Sequence, residues 1–237
     1  MSDGDTSTFQ RRRLIVNADD FGLSPGVNAG IIEAHERGIV TATSLMVRWP
    51  AAESAADYAR SHPRLDVGLH LDLGEWICRD GAWVPLYDVI SLTDATTVTA
   101  EVDRQLSAFR RLLGRDPSHL DSHQHVHRDE PVRSIMTAVA RRLRVPLRHV
   151  TPGYQYFGGF YGQNDEGQSY PELVSADAMV ALLSDLPAGT TELGCHPARG
   201  RDIEAMYVDE REREVETLCD PRVRAAIAAN HIDLTGF

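Results

Sequence analysis

Leu14-Ile15-Val16-Asn17-Ala18-Asp19-Asp20-Phe21-Gly22-Leu23-Ser24-Pro25 holds a strand, a polar turn and a helix start in one short stretch. Leu14 to Ala18 is apolar enough for a strand buried on both faces. Ser24 offers a hydroxyl to cap a helix, and Pro25 takes the first helical position, where its missing N–H costs nothing. Val27, Ile31 and Ala34 then recur at helical spacing, and Gly38 sits where a C-terminal cap belongs. The stretch reads as one βα unit.

The unit recurs along the chain. Strands are predicted over Ile39–Val47, Asp66–Leu71, His119–Asp121, Leu147–Val150, Thr191–Cys195 and Ile232–Leu234. Helices are predicted over Ala51–Ser61, Val98–Leu113 (ended by Gly114), Pro131–Leu143, Ala176–Leu186, Glu210–Leu218 and Arg222–Ala229. About seven βα units without a composition break imply one domain over residues 13–237, behind a disordered tail over 1–12. Repeated βα units build a parallel sheet, either open or closed into a barrel, and periodicity does not choose between them. Two segments, Asp72–Thr97 and Thr151–Pro171, read as long loops, and loops of that length in a compact domain are functional or disordered. The second is rich in Gly and aromatic residues from Gly153 to Gly162.

The chain has 237 residues and a net charge of −11, which repels phosphate backbones and anionic lipid surfaces. Nucleic-acid binding and membrane insertion are therefore not expected. The apolar run Leu14–Val16 is too short for a signal-peptide core, and no run approaches a membrane helix. Three cysteines, Cys78, Cys195 and Cys219, are too few and too odd for a disulfide framework and point to a reducing, cytoplasmic setting.

Four predicted strands end in groups that core packing does not need. They are Asp19-Asp20; Gly68-Leu69-His70-Leu71-Asp72; His119-Leu120-Asp121-Ser122-His123-Gln124-His125-Val126-His127; and Glu192-Leu193-Gly194-Cys195-His196-Pro197. Parallel α/β sheets gather their active sites at the carboxyl ends of strands. Adjacent carboxylates repel unless a cation or a shared proton lies between them, so Asp19 and Asp20 can divide two roles. A turn with a helix cap is the plainer reading of that pair. Four of the ten histidines fall between positions 119 and 127. In an extended chain the odd positions share one face; in a helix His123 and His127 do. Both arrangements suit a divalent metal, with the remaining imidazoles behind it or against substrate. Arg199 and Arg201 follow His196 and could orient a substrate. The sequence has no CxxC and no GxxxxGK[ST].

These blocks resemble the YdjC-like (ChbG/HpnK) carbohydrate deacetylases. The resemblance is carried by Asn17 to Ser24 with Gly26-Val27-Asn28, Val40 to Val47, Gly68 to Leu71, His119 to His127, Glu192 to Pro197 and Glu210 to Val215. It covers Leu14 to Phe237. It implies a (β/α) barrel of the glycoside hydrolase/deacetylase type, in an incomplete form with about seven strands. It implies hydrolysis of N-acetyl groups on an amino sugar or sugar conjugate, with one divalent ion, Mg²⁺ first and Zn²⁺ as the alternative. Carried over by motif, Asp20, His70 and His123 bind the metal and Asp19 is the general base. A protonated His196 is the expected donor to the leaving amine. His125, His127, Arg199, Tyr156 and Tyr161 are expected to bind substrate, and a homodimer is compatible with this reading. The competing classes are a metal-dependent phosphoesterase on a similar His-rich barrel and a non-catalytic metal- or carbohydrate-binding protein. The spare carboxylate of the Asp19-Asp20 pair favours an enzyme.

Overall fold

The computed structural model describes residues 11–237. The expected tail therefore lies outside the described residues up to position 10, and Arg12 already opens the first strand. The strands are β1 (Arg12–Phe21), β2 (Ala42–Leu45), β3 (Asp66–Leu71), β4 (Gly74–Arg79), β5 (Ala82–Asp88), β6 (Leu120–Ser122), β7 (Tyr154–Phe157), β8 (Gly189–Cys195) and β9 (Ile232–Leu234). The helices are α1 (Pro25–Glu36), α2 (Ala52–Ser61), α3 (Ala95–Leu113), α4 (Val132–Leu143), α5 (Ala176–Ser184), α6 (Glu210–Leu218) and α7 (Pro221–Ala229).

Seven strands form one parallel sheet in the order β6-β3-β2-β1-β8-β7, with β9 paired to the first residues of β1. Its curl and its unclosed ends make it the incomplete barrel expected. β4 and β5 form a separate antiparallel hairpin inside the segment expected to be loop. β1 lies centrally because Leu14, Ile15, Val16 and Ala18 are fully buried, so the strand needs cover on both faces. Ser24 caps α1 by accepting from the Val27 amide, as expected. The α3 face carrying Val98, Val102, Leu106, Phe109 and Leu113 is buried, and each such side chain stabilises the fold by roughly 1.5–3 kcal/mol. Gly114 ends that helix at φ 69°, a conformation that costs glycine little.

One strand falls elsewhere than expected. Leu147–Val150 makes only an isolated bridge, Leu147 to Leu120, and the chain turns at His149 with φ 62°. The edge strand is instead β7, which pairs with β8 from within the aromatic segment. Among the described residues no helix is long and apolar enough to cross a membrane.

Candidate active site

Register places the functional residues at one edge of the sheet. Ala18 pairs with Cys195 and His70 with Asp121, so the residues just beyond β1, β3, β6 and β8 converge. The β1 backbone shifts register between Ala18 and Phe21, and Asp20 takes φ 70°. That turn sends the two neighbouring carboxylates to different partners.

Asp20 is fully buried. Its Oδ1 lies 3.3 Å from His70 Nε2 and 3.1 Å from His123 Nδ1. Its Oδ2 accepts from Arg211 Nη2 at 2.7 Å. Donor atoms of Asp20, His70 and His123 all lie within 4.8 Å of one another. Behind His70, Nδ1 donates to Asp121 Oδ1 at 2.8 Å, which leaves Nε2 free to face Asp20. Burial alone would lower the pKa of both imidazoles. The Asp121 and Asp19 charges raise His70 to about 10, and Asp20 raises His123 to about 9. The surrounding carboxylates thus favour positive charge at this point, and two imidazole nitrogens with one carboxylate oxygen are a donor set for a divalent ion. A second group, Asp19, His70 and Asp121, also gathers donor atoms. Arg211 takes only Oδ2 of Asp20 and leaves Oδ1 to the two imidazoles, whereas both oxygens of Asp19 are already held by a second guanidinium, so the first group suits a cation better.

That guanidinium belongs to Arg148, fully buried in the turn after Leu147. Arg148 donates to Asp19 Oδ2 and Oδ1 at 2.6 and 2.8 Å and to Glu192 Oε1 at 2.7 Å, and it forms an ion pair with Asp121 Oδ2 at 2.8 Å. Asn17 Nδ2 adds a bond to Asp19 Oδ1 at 2.8 Å. Burial raises the Asp19 pKa, but the Arg148 charge and its hydrogen bonds outweigh this and hold the carboxyl below its ordinary value. With three carboxylates on one guanidinium, Glu192 is the one that burial pushes up, to about 7.

Asp19, Asp20, His70 and His123 line a cavity of about 260 Å³, closed by His125, Tyr156, Tyr161, His196 and Tyr207. His196 Nε2 lies 3.9 Å from Asp19 Oδ2, and its backbone N–H donates to Glu214 at 2.5 Å. Burial holds the His196 imidazole down to about 4, a direction that favours the neutral ring. Tyr156 OH lies 3.4 Å from His125 Nε2, and the Arg148 guanidinium sits 4.7 Å over the Tyr156 ring. Gly194 is required there: a Cβ would stand 2.4 Å from the Tyr156 hydroxyl oxygen. Tyr161 stacks on Tyr207 at 4.2 Å.

Two expected substrate contacts are not in the cavity. His127 is fully buried with both ring nitrogens occupied, by Ser122 Oγ at 2.6 Å and the Arg148 carbonyl at 3.1 Å. The backbone turns at Gln124 and His125, at φ 49° and 54°, so neither an extended run nor a regular helix sets the faces. Arg199 is paired with Glu33 on α1 at 2.8 and 2.9 Å, and Arg201 meets Asp209 on the surface. Arg148, Arg211, Glu75 and Tyr207 were not singled out by sequence. An arginine directly after an apolar segment was the available signal for Arg148, and Arg211 lies within the Glu210 to Val215 block.

The profile of the YdjC-like protein family matches residues 13–229. A carbohydrate deacetylase of Geobacillus stearothermophilus is 34% identical over 95% of this chain and 97% of its own length. A chitooligosaccharide deacetylase of Serratia marcescens is 33% identical over 94% and 97%. A crystal structure from Enterococcus faecalis V583, named for cellobiose-phosphate cleavage, superposes with a TM-score of 0.76 at 28% identity, covering 95% and 97%. A family 4 carbohydrate esterase of Streptomyces lividans shares the fold at TM-score 0.58 and 12% identity, covering 95% of this chain and 92% of its own.

Proposed function

The chain belongs to the YdjC-like protein family, and on that premise we propose that it is a carbohydrate deacetylase that removes an N-acetyl group from an amino sugar or sugar conjugate. The observation that carries this reading is the convergence of Asp20, His70 and His123 beside a separate carboxylate, Asp19, at one cavity. The names of the Geobacillus and Serratia relatives support it.

Asp20, His70 and His123 would hold one divalent ion, Mg²⁺ or Zn²⁺, and the nitrogen-rich donor set leans toward Zn²⁺ on softness. When bound, such an ion supplies Lewis-acid polarisation of the amide carbonyl and of water. Asp19, kept ionised by Arg148, takes the proton from the attacking water. The new C–O bond forms at the carbonyl carbon, and the C–N bond then breaks to give acetate and a free amine. The amine nitrogen needs that proton as it leaves. His196, neutral at rest and 3.9 Å from Asp19, can carry it from the carboxyl to the leaving nitrogen. Tyr156 and Tyr161 line the cavity, where the C–H groups of a sugar can pack against aromatic rings.

The phosphoesterase alternative needs cationic groups aimed at phosphate. Arg211 is the one arginine or lysine among the described residues lining the cavity, and it is bound to Asp20. Acetate release from a panel of N-acetylated sugars, run beside phosphate esters and with defined metal content, tests the reading. Metal-dependent acetate release supports it, and phosphate release alone overturns it.

A further inference from the structure

His70 faces Asp20 Oδ1 through Nε2 and His123 faces it through Nδ1, and the two rings are supported differently. The remote nitrogen of His70 donates to Asp121 at 2.8 Å. The remote nitrogen of His123, Nε2, is buried and has no hydrogen-bond partner among the described residues. The nearest carboxylate is Glu75, with Oε2 3.8 Å away. Glu75 is buried, and at 3.8 Å its carboxylate stands just beyond hydrogen-bond length from that nitrogen.

Glu75 does not come from the parallel sheet. It sits on β4, at the root of the hairpin inserted after β3. That root is tied down at two places. Asp72 accepts from Arg48, Trp49 and Tyr87 at 2.8, 3.1 and 3.0 Å. Gln124 pairs its amide with the backbone of Trp76, accepting from the N–H at 3.0 Å and donating to the carbonyl at 2.8 Å. Adjacent residues on one segment, His123 and Gln124, therefore address adjacent residues on the other, Glu75 and Trp76. Gln124 holds φ 49°, a left-handed conformation that side chains other than glycine adopt only when surrounding contacts enforce it.

We propose that Glu75 is a positioning residue for His123: its carboxylate accepts the Nε2–H, fixes the tautomer and turns Nδ1 toward Asp20. The proposal rests on Asp20, His70 and His123 holding a divalent ion. Imidazoles that bind metals are held by a carboxylate or carbonyl on the other ring nitrogen. Asp121 fills that place for His70, and Glu75 is the group placed to fill it for His123. A movement of about 1 Å brings the pair to hydrogen-bond length. Glu75 stands outside the set of mutually close donor atoms, so it acts through His123 rather than as a ligand. The hairpin thereby becomes part of the metal site, although no strand of the sheet reaches it.

The test is titration of the full-length, chelator-stripped protein with Zn²⁺ alone, followed by calorimetry, together with the absorption spectrum of the Co²⁺-loaded form. Glu75→Ala is expected to weaken Zn²⁺ binding by roughly 10–100-fold and to alter the Co²⁺ bands. Glu75→Gln, whose amide oxygen still accepts a hydrogen bond, is expected to recover most of that loss. Gln124→Ala, which frees the hairpin without touching the carboxylate, is expected to fall between them, and it carries the test should Glu75→Ala melt early. Wild-type affinity and spectrum in both Glu75→Ala and Gln124→Ala overturn the proposal alone. A Glu75→Gln variant as weak as Glu75→Ala also overturns it, since charge rather than hydrogen bonding would then be at work. A wild-type protein that binds no Zn²⁺ overturns the metal reading and this proposal with it.

Discussion

Arg148 grips Asp19 with both terminal nitrogens, at 2.6 and 2.8 Å, in a setting where both side chains are buried. The grip does two things. It keeps the carboxylate ionised, and it fixes the plane in which the carboxylate meets the cavity. Arg148→Lys keeps the charge and loses the fork. Turnover is expected to fall by about 10²-fold or more, with a modest fall in melting temperature. Arg148→Met leaves Asp19, Asp121 and Glu192 without their cation, at a cost of about 3–5 kcal/mol. Melting curves and acetate release on both variants check this. Full activity in Arg148→Lys would show that charge alone suffices.

The Asp pair separates into two roles. Asp20→Asn is expected to lose metal, because Oδ1 is the atom both imidazoles face. Asp19→Asn is expected to keep metal and lose turnover by about 10²-fold or more. Metal content and acetate release are read on the same two samples. Loss of metal from Asp19→Asn with retention in Asp20→Asn reverses the assignment.

His123 and His127 are four apart in sequence and differ in kind. His123→Ala is expected to lose most metal affinity. His127→Ala is expected to keep metal stoichiometry and lose stability, since two hydrogen bonds to buried partners disappear, at about 1–3 kcal/mol for each partner left unpaired. A titration with Zn²⁺ and a thermal melt on each variant separate the two.

How far this site could be read in advance depended on distance along the chain. Asp19, Asp20, His70 and His123 each end a strand whose apolar pattern is local, so alternation and composition exposed them. Arg148 could not be read in this way. Its partners Asp19 and Glu192 lie 129 and 44 residues away, and its segment looked like a strand because Val145, Leu147 and Val150 are apolar. The chain turns there instead, and pairing with β8 passes to Tyr154–Phe157. That strand was hidden by the glycines around it, although Tyr154 and Tyr156 alternate with more exposed neighbours as an edge strand should. Ser24, Pro25 and Gly114 were legible for the opposite reason: capping is chemistry between near neighbours. Glu75 was lost inside a segment taken for a loop, where Gly81 marks the turn of a hairpin that alternation alone did not reveal.

Acid should loosen the fold above the range where ordinary carboxylates titrate. Burial holds His119 down to about 3 and His127 to about 4. The unfolded chain binds protons on these groups below about pH 6.5, and the folded chain does not until far lower pH. Each therefore favours the folded state above about pH 6.5, and this advantage fades as pH falls, by ~1.4 kcal/mol per pH unit per group once the unfolded form is protonated. The denaturant midpoint is expected to drop between pH 6.5 and 5. His127→Asn should shallow that slope, and an unchanged slope would remove His127 as a cause.

The aromatic segment offers two kinds of ring, and they should answer differently to truncation. Phe160 is fully buried, so Phe160→Ala is a packing change expected to cost about 3–5 kcal/mol. Tyr156 and Tyr161 line the cavity, but each also has a structural partner. Tyr156 lies under the Arg148 guanidinium and against Gly194, while Tyr161 stacks on Tyr207. Tyr161→Ala removes a ring from the wall beside His196, whose centroid lies 5.6 Å away, without touching the Arg148 cluster. It is expected to raise KM or change the preferred sugar, with a smaller fall in melting temperature than Phe160→Ala. Tyr156→Ala removes a face that covers Arg148, so kcat should fall together with stability. Tyr156→Phe keeps that face and loses only the hydroxyl near His125, and it should restore stability. Thermal melts with steady-state kinetics on these variants decide the matter. Unaltered kinetics in Tyr161→Ala and Tyr156→Ala alike would mean that the rings only pack the edge of the sheet and that the sugar lies elsewhere in the cavity.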